Sequence, residues 1–368
     1  PKYSIFLFLL VGLYVEVKKH HVSVSYLIYV LLLLIGISFI NIPFNESIRK
    51  AIAFNLSGPV LLGLTAIYFY KRKLTIETML NMLFYMVLPI LSMVSLLYFK
   101  TPDLKEIAFG STANFEASGG YGPNQVATIL GLGIFIFVVH LFFKKRILWI
   151  LAIDLLMFVY LIFRGLITLS RGGMLTGFIA IAIFSFFFIG GTKDKLKSIV
   201  KYTTLIGMFG IALFLYTSNI TGGMLENRYT NKNAAGVSKK DISTGRVAIF
   251  KSELETFFEN PFFGIGVGGG KYYRKDALEI EVASHNELSR LLGEHGVIGL
   301  IILIILIVIP IKNIISQPNL ARGLLGAFFI FWFLTINHSA MRIAFPAFIY
   351  GLSLATLKLD EENSLYRQ

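Results

Sequence analysis

Eleven apolar windows, separated by charged or turn-forming residues, leave this chain almost no way to fold except as a bundle of membrane helices. They fall near residues 3–15, 22–40, 51–70, 79–98, 126–143, 147–163, 172–190, 199–216, 297–315, 323–336 and 343–357. A helix needs roughly 20 apolar residues to cross about 30 Å of hydrocarbon, and the first window and the last two fall short of that. In lipid a helix satisfies its own backbone and an isolated strand does not, so each window reads as helix. Gly58-Pro59, Pro89 and Pro310 fall inside windows and are tolerable kinks where neighbours take up the freed backbone groups. Composition agrees: 55% of residues are hydrophobic and 15% charged, and mean hydropathy is +0.72, outside the usage of soluble domains. The expected fold is all-α and polytopic, with about eleven spans. Three segments follow: helices over 1–216, a large loop over 217–296, and further helices with a tail over 297–368.

The charge pattern sets an expected orientation. Lys18-Lys19, KRK at 71–73, KKR at 144–146, the lysines of 191–201, Lys312, Arg322, Lys358 and Arg367 sit on alternate connections, and such loops belong in the cytoplasm. The net charge of +13 is then topological bias rather than a nucleic-acid footprint, and no nucleic acid is expected as partner. On this assignment TLSRGG (168–173), the 100–125 segment, the long loop and NHSAMR (337–342) share the outer face, and the C-terminus lies inside. The chain has no Cys and its six His are scattered, which excludes disulfides and thiolate sites and leaves no metal-ligand spacing.

The long loop is the one extramembrane stretch large enough to hold chemistry. Its first part, 217–245, is rich in Gly and Asn and reads as a lid or linker. RVAIFKSELETFFENP then places Val247, Phe250, Leu254, Phe257 and Phe258 on one helical face, with Ser243 or Thr244 as cap and Pro261 as stop. FFGIGVGGG matches GxGxxG at Gly264, Gly266 and Gly269. It follows Asn-Pro rather than a strand, so a close-approach turn is the better reading than a dinucleotide site. In SHNELSRLLGEHGVIG, Ser284 and Glu287 have capping-box spacing, which predicts a helix from Ser284 with His285 in its first turn, kept neutral by the helix dipole, and with Leu288, Leu291 and Leu292 buried. Each feature also has a plain reading. SRGG can be an interfacial anchor at a helix start, Arg246 a solvated charge, and His285 a structural histidine. Asp154, an acid inside an apolar window, is either functional or a hydrogen-bonding group between helices.

Taken in order, SRGG with Arg171 and Leu175, TGRVAIFKSELETFFENPFFGIGVGGG and SHNELSRLLGEHGVIGL, together with GPNQVA at 122–127, resemble the O-antigen ligase and polymerase family of bacterial membrane glycosyltransferases. The matching blocks lie mostly between 168 and 300, and Phe250 stands where many members have Trp. The resemblance implies a lipid-dependent glycosyltransferase fold of the GT-C type with about twelve spans. One more span than the eleven counted is then expected ahead of Pro1. It implies an enzyme of the bacterial inner membrane, multi-pass, with its site on the extracytoplasmic side, using neither metal nor cofactor. Its donor is a glycan on undecaprenyl diphosphate and its acceptor a sugar hydroxyl, and a chain-length regulator and a flippase are possible partners beside the bilayer. The absence of a DxD motif agrees. Carried onto this chain, His285 is the expected base and Arg246 and Arg171 the diphosphate clamp, converging on one cavity; Gly172, Gly173, Asn286, Asn124 and Arg164 are expected at the substrate. Guanidinium forks suit phosphate oxygens better than lysine does. Glu279, Glu281 and Asp241 are the competing bases. Polymerase is preferred to ligase, since nothing looks dedicated to a lipid A core. A polysaccharide transporter, which calls for broken helices or midplane charges, and a non-catalytic scaffold rank lower.

Overall fold

The computed structural model describes residues 2–16, 22–40, 42–43, 47–189, 195–241, 243, 245–279 and 282–358. Its helices are α1 (Lys2–Glu16), α2 (Val24–Ile35), α3 (Ile48–Phe69), α4 (Ile76–Lys100), α5 (Pro123–Phe142), α6 (Leu151–Ile167), α7 (Arg171–Ile189), α8 (Lys195–Ile220) and α9 (Met224–Tyr229). They continue with α10 (Arg246–Glu259), α11 (Gly270–Leu278), α12 (Glu287–His295), α13 (Val297–Ile315), α14 (Asn319–His338) and α15 (Phe345–Leu352). Each of the eleven apolar windows holds a helix, although the window 343–357 is helical only over Phe345–Leu352 and ends in a short strand, Thr356–Lys358. Among the described residues six helices, α3, α4, α5, α7, α13 and α14, are long and apolar enough to cross a membrane. α15 is not: its eight residues rise only about 12 Å.

The chain divides into two compact units. The first comprises Pro1–Lys73, Ser243–Gln317 and Phe331–Thr356. Here α3 packs on α1, α2 and α15, and α13 packs on α2 and α12. Its centre is aromatic: Tyr26 and Tyr350 share a 2.7 Å hydroxyl hydrogen bond, and Trp332 lies 4.5 Å from the Tyr350 ring. Tyr350 donates on to the Leu306 carbonyl at 3.1 Å. Each buried phenol therefore has a partner, which is the condition for placing it in an apolar core.

The second unit comprises Leu74–Ile242, Pro318–Ile330 and Leu357–Gln368, with α5 and α7 in its most extensive contact. Gly131 of α5 faces Gly173 and Gly177 of α7. A Cβ on Gly131 would lie 2.6 Å from the Gly173 carbonyl oxygen, and one on Gly177 would lie 2.7 Å from that of Gly131. Gly173 and Gly177 are four apart, the small-residue spacing that lets two membrane helices approach closely. Gly173, expected at the substrate, is therefore a packing residue, since its own Cβ would sit 2.4 Å from the Thr128 nitrogen. Asp154 also has a structural use: its carboxylate accepts the backbone N–H groups of Ile147 (3.2 Å) and Leu148 (2.8 Å) ahead of α6.

Because this contact is backbone on backbone, neither helix can yield by a side-chain rotation. Gly131→Ala and Gly177→Ala should each destabilise the protein by about 1–3 kcal/mol, read as a lowered thermal midpoint in detergent. Gly210→Ala, where an added Cβ meets nothing within 4 Å, should leave the midpoint unchanged.

Candidate active site

In the first unit, three segments of the long loop assemble around α12. α10 starts at Arg246 behind Gly245, whose φ is +83°, and Ser243 Oγ accepts the Val247 N–H at 3.2 Å. Ser243 thus serves the helix start as expected, although it stands outside the cap position. The burial of α10 reverses a simple amphipathic reading. Val247, Phe250 and Phe258 of the apolar stripe are exposed, while Ile249, Ser252, Glu253 and Thr256 are buried. An apolar face turned outward beside a polar face turned inward suits a helix at a membrane interface.

The turn after α10 explains its glycines. Gly264, Gly266 and Gly268 all have φ between +67° and +80°, a region open to glycine at little cost. The N–H groups of Ile265 and Gly266 donate to the carbonyls of Gly293 and Glu294, which satisfies the last turn of α12. A Cβ on Gly266 would meet the Phe39 carbonyl oxygen at 1.9 Å. The close-approach reading of GIGVGGG describes this turn.

α12 begins later than its sequence spacing suggests. Asn286, not Ser284, is the cap: its Oδ1 accepts the N–H groups of Leu288 (2.9 Å) and Ser289 (3.3 Å). Asn286 wins because one side-chain oxygen serves two amides, while Ser284 Oγ takes the Asn286 N–H at 3.1 Å. His285 consequently precedes the helix instead of occupying its first turn. Leu291 is buried, but so are Glu287, Ser289, Arg290, Glu294 and His295, and an ionic network fills the space.

Arg290 bridges Glu287 and Glu294, the latter at 2.5 Å, and it stays charged because the two carboxylates outweigh its burial. Burial pushes the Glu294 carboxyl up to about 7 against the pull of Arg290. Glu253 of α10 pairs with Arg274 of α11 at 2.9 Å and accepts from Ser289 Oγ at 2.5 Å. One carboxylate therefore joins all three helices. Arg274 also donates to the Val282 carbonyl at 2.8 Å, holding the strand of chain that leads to His285.

His285 is positioned from the segment after α14. Ala340 N–H donates to the His285 carbonyl at 3.1 Å, and Arg342 Nη2 donates to the Ser284 carbonyl at 2.5 Å. The imidazole is depressed to about 4, first by burial and then by Arg342, Arg246, His338 and Arg274. It is thus neutral at physiological pH, through burial and neighbouring cations rather than a helix dipole. Neutral imidazole can accept a proton, and the same cations favour an anion beside it. A base and positive charge thus meet in this unit.

The second unit holds the other expected residues. Arg171 opens α7, and the preceding Ser170 donates to Asn124 Oδ1 at 2.7 Å. Asn124 therefore ties the start of α5 to the turn that carries Arg171. Arg228 donates to the Leu169 carbonyl at 3.1 Å, and Lys239 to the Ser111 carbonyl at 2.9 Å. The ammonium of Lys239 is lowered by burial and then by Arg228 and Arg171, so three cations gather here. Gly172 follows in the first turn of α7. Arg164 lies elsewhere in this unit, buried, with Nη2 donating to Thr101 Oγ1 (2.6 Å) and to the Ala117 carbonyl (3.2 Å), where it braces the segment between α4 and α5. Of the competing bases, Glu279 and Asp241 are exposed and Glu281 lies outside the described residues. Among the described residues no three His, Cys, Asp or Glu gather as metal ligands would.

A likeness to a known family covers part of the chain. Residues 156–304 match the O-antigen ligase family. The match is consistent with the ligase and polymerase resemblance of the motifs, and it spans Arg171, Arg246 and His285 together with α10 to α12. Members of the O-antigen ligase family are glycosyltransferase-like enzymes of the bacterial inner membrane. No curated protein matches the chain. Arg342 lies outside the O-antigen ligase match, as does Ala340, so the clamp on His285 is contributed from beyond it.

Sequence reasoning gave no role to Arg342, Glu253, Arg274, Arg290 or Glu294. For α12 a signal existed, since Glu287, Arg290 and Glu294 fall at helical spacings that put them on one face. Removing the Arg342 cation should let His285 gain a proton more easily. Arg342→Gln should therefore move the acid limb of the rate profile upward from about pH 4 toward the ordinary imidazole value near 6.5. An unchanged limb would mean that Arg342 does not act on His285.

Proposed function

We propose that this protein is a membrane glycosyltransferase that polymerises undecaprenyl-diphosphate-linked oligosaccharide repeat units of O-antigen or capsular polysaccharide, working on the extracytoplasmic side of the inner membrane. The observation that carries the reading is His285, held by Ala340 at its carbonyl next to the Ser284 carbonyl that Arg342 holds, with its imidazole kept neutral by burial and by the charges of Arg342 and Arg246. In the proposed step His285 takes the proton of an acceptor hydroxyl as that oxygen attacks the anomeric carbon of the donor. The bond from the anomeric carbon to the phosphate oxygen breaks, and undecaprenyl diphosphate leaves with the electron pair. Arg246 and Arg171 supply positive charge to that leaving group. The imidazolium then releases its proton, and the net change is one glycosidic bond formed, one phosphoester bond broken and one proton freed. Around this chemistry the proposal places a GT-C-type fold of about twelve spans, independent of metal, working beside a flippase and a chain-length regulator.

A second reading is transfer of the glycan to a lipid A core or another terminal acceptor. The description of the matching family, O-antigen ligase, favours it.

Purified full-length protein given lipid-linked repeat units distinguishes the two. A ladder of products without any core acceptor supports polymerase, and a single transfer that requires a core acceptor supports ligase. Absence of both would overturn the glycosyltransferase reading. In the same assay Arg246→Lys, which keeps the charge but loses the fork, should cut turnover about 100-fold, the loss of one or two charge-assisted hydrogen bonds, at normal expression. Wild-type turnover would reduce Arg246 to a solvated charge.

A further inference from the structure

One cavity in the first unit has no role in the proposed step. Its volume is about 280 Å³, and it is lined by residues of α3, α11 and α12, among them Phe54, Asn55, Tyr272, Ser284, Arg290 and Glu294. The volume lies at the lower edge of the range for small-molecule sites, about 300–1,000 Å³. That suits one sugar ring and excludes an oligosaccharide or a polyprenyl chain.

We propose that this cavity is a sugar pocket that holds the terminal pyranose of the glycan acceptor beside His285. The inference rests on the glycosyl-transfer reading and adds to it the place where the acceptor sits. A pyranose presents a face of C–H bonds and a rim of hydroxyls that each donate and accept. Its recognition calls for an aromatic ring against the face and for amide, carboxylate and guanidinium groups at the rim. The lining supplies both sets: Phe54 and Tyr272 are the rings, and Asn55, Glu294 and Arg290 are the planar polar groups. Both rings are also set by cations, Arg342 at 5.3 Å from the Phe54 centroid and Lys271 at 5.3 Å from that of Tyr272.

The cations that border the cavity are Lys50, Lys271, Arg274 and Arg290. The two arginines are paired with Glu253 and with Glu287 and Glu294, and Glu294 stands in the wall itself, where its carboxyl would hydrogen-bond a hydroxyl. Position argues for the acceptor in particular. Ser284, which lines the cavity, is the residue before His285, so a sugar held there sits next along the chain to the proposed base. A second, smaller cavity shares Phe54, Asn55, Ser284 and Arg290 with the first and is lined as well by Arg342, whose guanidinium holds the Ser284 carbonyl.

The test uses the full chain in detergent with a panel of methyl glycosides of glucose, galactose, mannose and N-acetylglucosamine, read by saturation-transfer NMR. At least one glycoside should receive saturation, lose it in Tyr272→Ala and keep it in Tyr272→Phe. In the transfer assay Tyr272→Ala should raise the acceptor KM about ten-fold, the loss of one aromatic contact, with donor KM unchanged, and Tyr272→Phe should restore it. Thermal midpoints of both variants identify a folding defect, and Tyr272→Phe carries the test if the alanine variant unfolds. Saturation of no glycoside, saturation insensitive to Tyr272, or displacement by inorganic pyrophosphate would each overturn the pocket. If the wild type makes polymer but the acceptor KM does not move, the pocket falls and the enzyme stands. If a glycoside binds through Tyr272 while no transfer occurs with any acceptor, the glycosyltransferase reading falls instead.

Discussion

The organisation of the site depends on one buried cation. Arg290, on α12, answers Glu287 and Glu294 on its own helix and donates as well to the Asn55 carbonyl of α3. A buried guanidinium is tolerable only while its partners hold, and losing one partner of such a pair costs about 3–5 kcal/mol. The arrangement therefore has few alternatives. α12 cannot rotate without exposing an acid to the apolar helices around it or stranding the arginine. Glu253, shared between Arg274 and Ser289, extends the same constraint to α10 and α11. A short helix that would be marginal alone becomes a fixed platform for the residue that precedes it.

That fixity serves a histidine whose environment suits a base more than an acid. Burial and four neighbouring groups hold His285 at about 4, which keeps it neutral but makes it a weak base at neutral pH. The same cations offset this weakness when an anion develops beside it. Positive charge disfavours imidazolium in the resting site, and a diphosphate partly neutralises that charge when the donor binds, so the basicity of His285 is expected to rise with donor bound. On this account the arginines set the readiness of the base as well as the stability of the leaving group.

The membrane class was legible because hydropathy acts at the scale of whole helices. Each of the eleven windows holds a helix, yet among the described residues length and composition support six as spans, since an apolar run such as 343–357 is interrupted by turns and yields only Phe345–Leu352. Local turn chemistry was read less well. Ser284 and Glu287 have capping-box spacing, but Asn286 between them offers an oxygen to two amides and moves the helix start. Gly173 was expected at the substrate, and its contacts with α5 show why a Cβ is forbidden there. Arg342 could not be found from sequence, because its effect on His285 comes through a fold that brings together residues 57 apart. A pH profile does not separate the histidine from a carboxylate base. With His285 at about 4, its titration coincides with the ordinary range for Asp and Glu.

Since pH does not identify the base, the deciding measurement compares donor binding with turnover in His285→Ala. The account predicts that this variant binds lipid-diphosphate-linked glycan with wild-type affinity, because Arg246 and Arg171 remain, and that transfer falls by at least about 100-fold, the usual contribution of a general base. Transfer retained in His285→Ala, with loss in Glu279→Gln or Glu281→Gln instead, would contradict it.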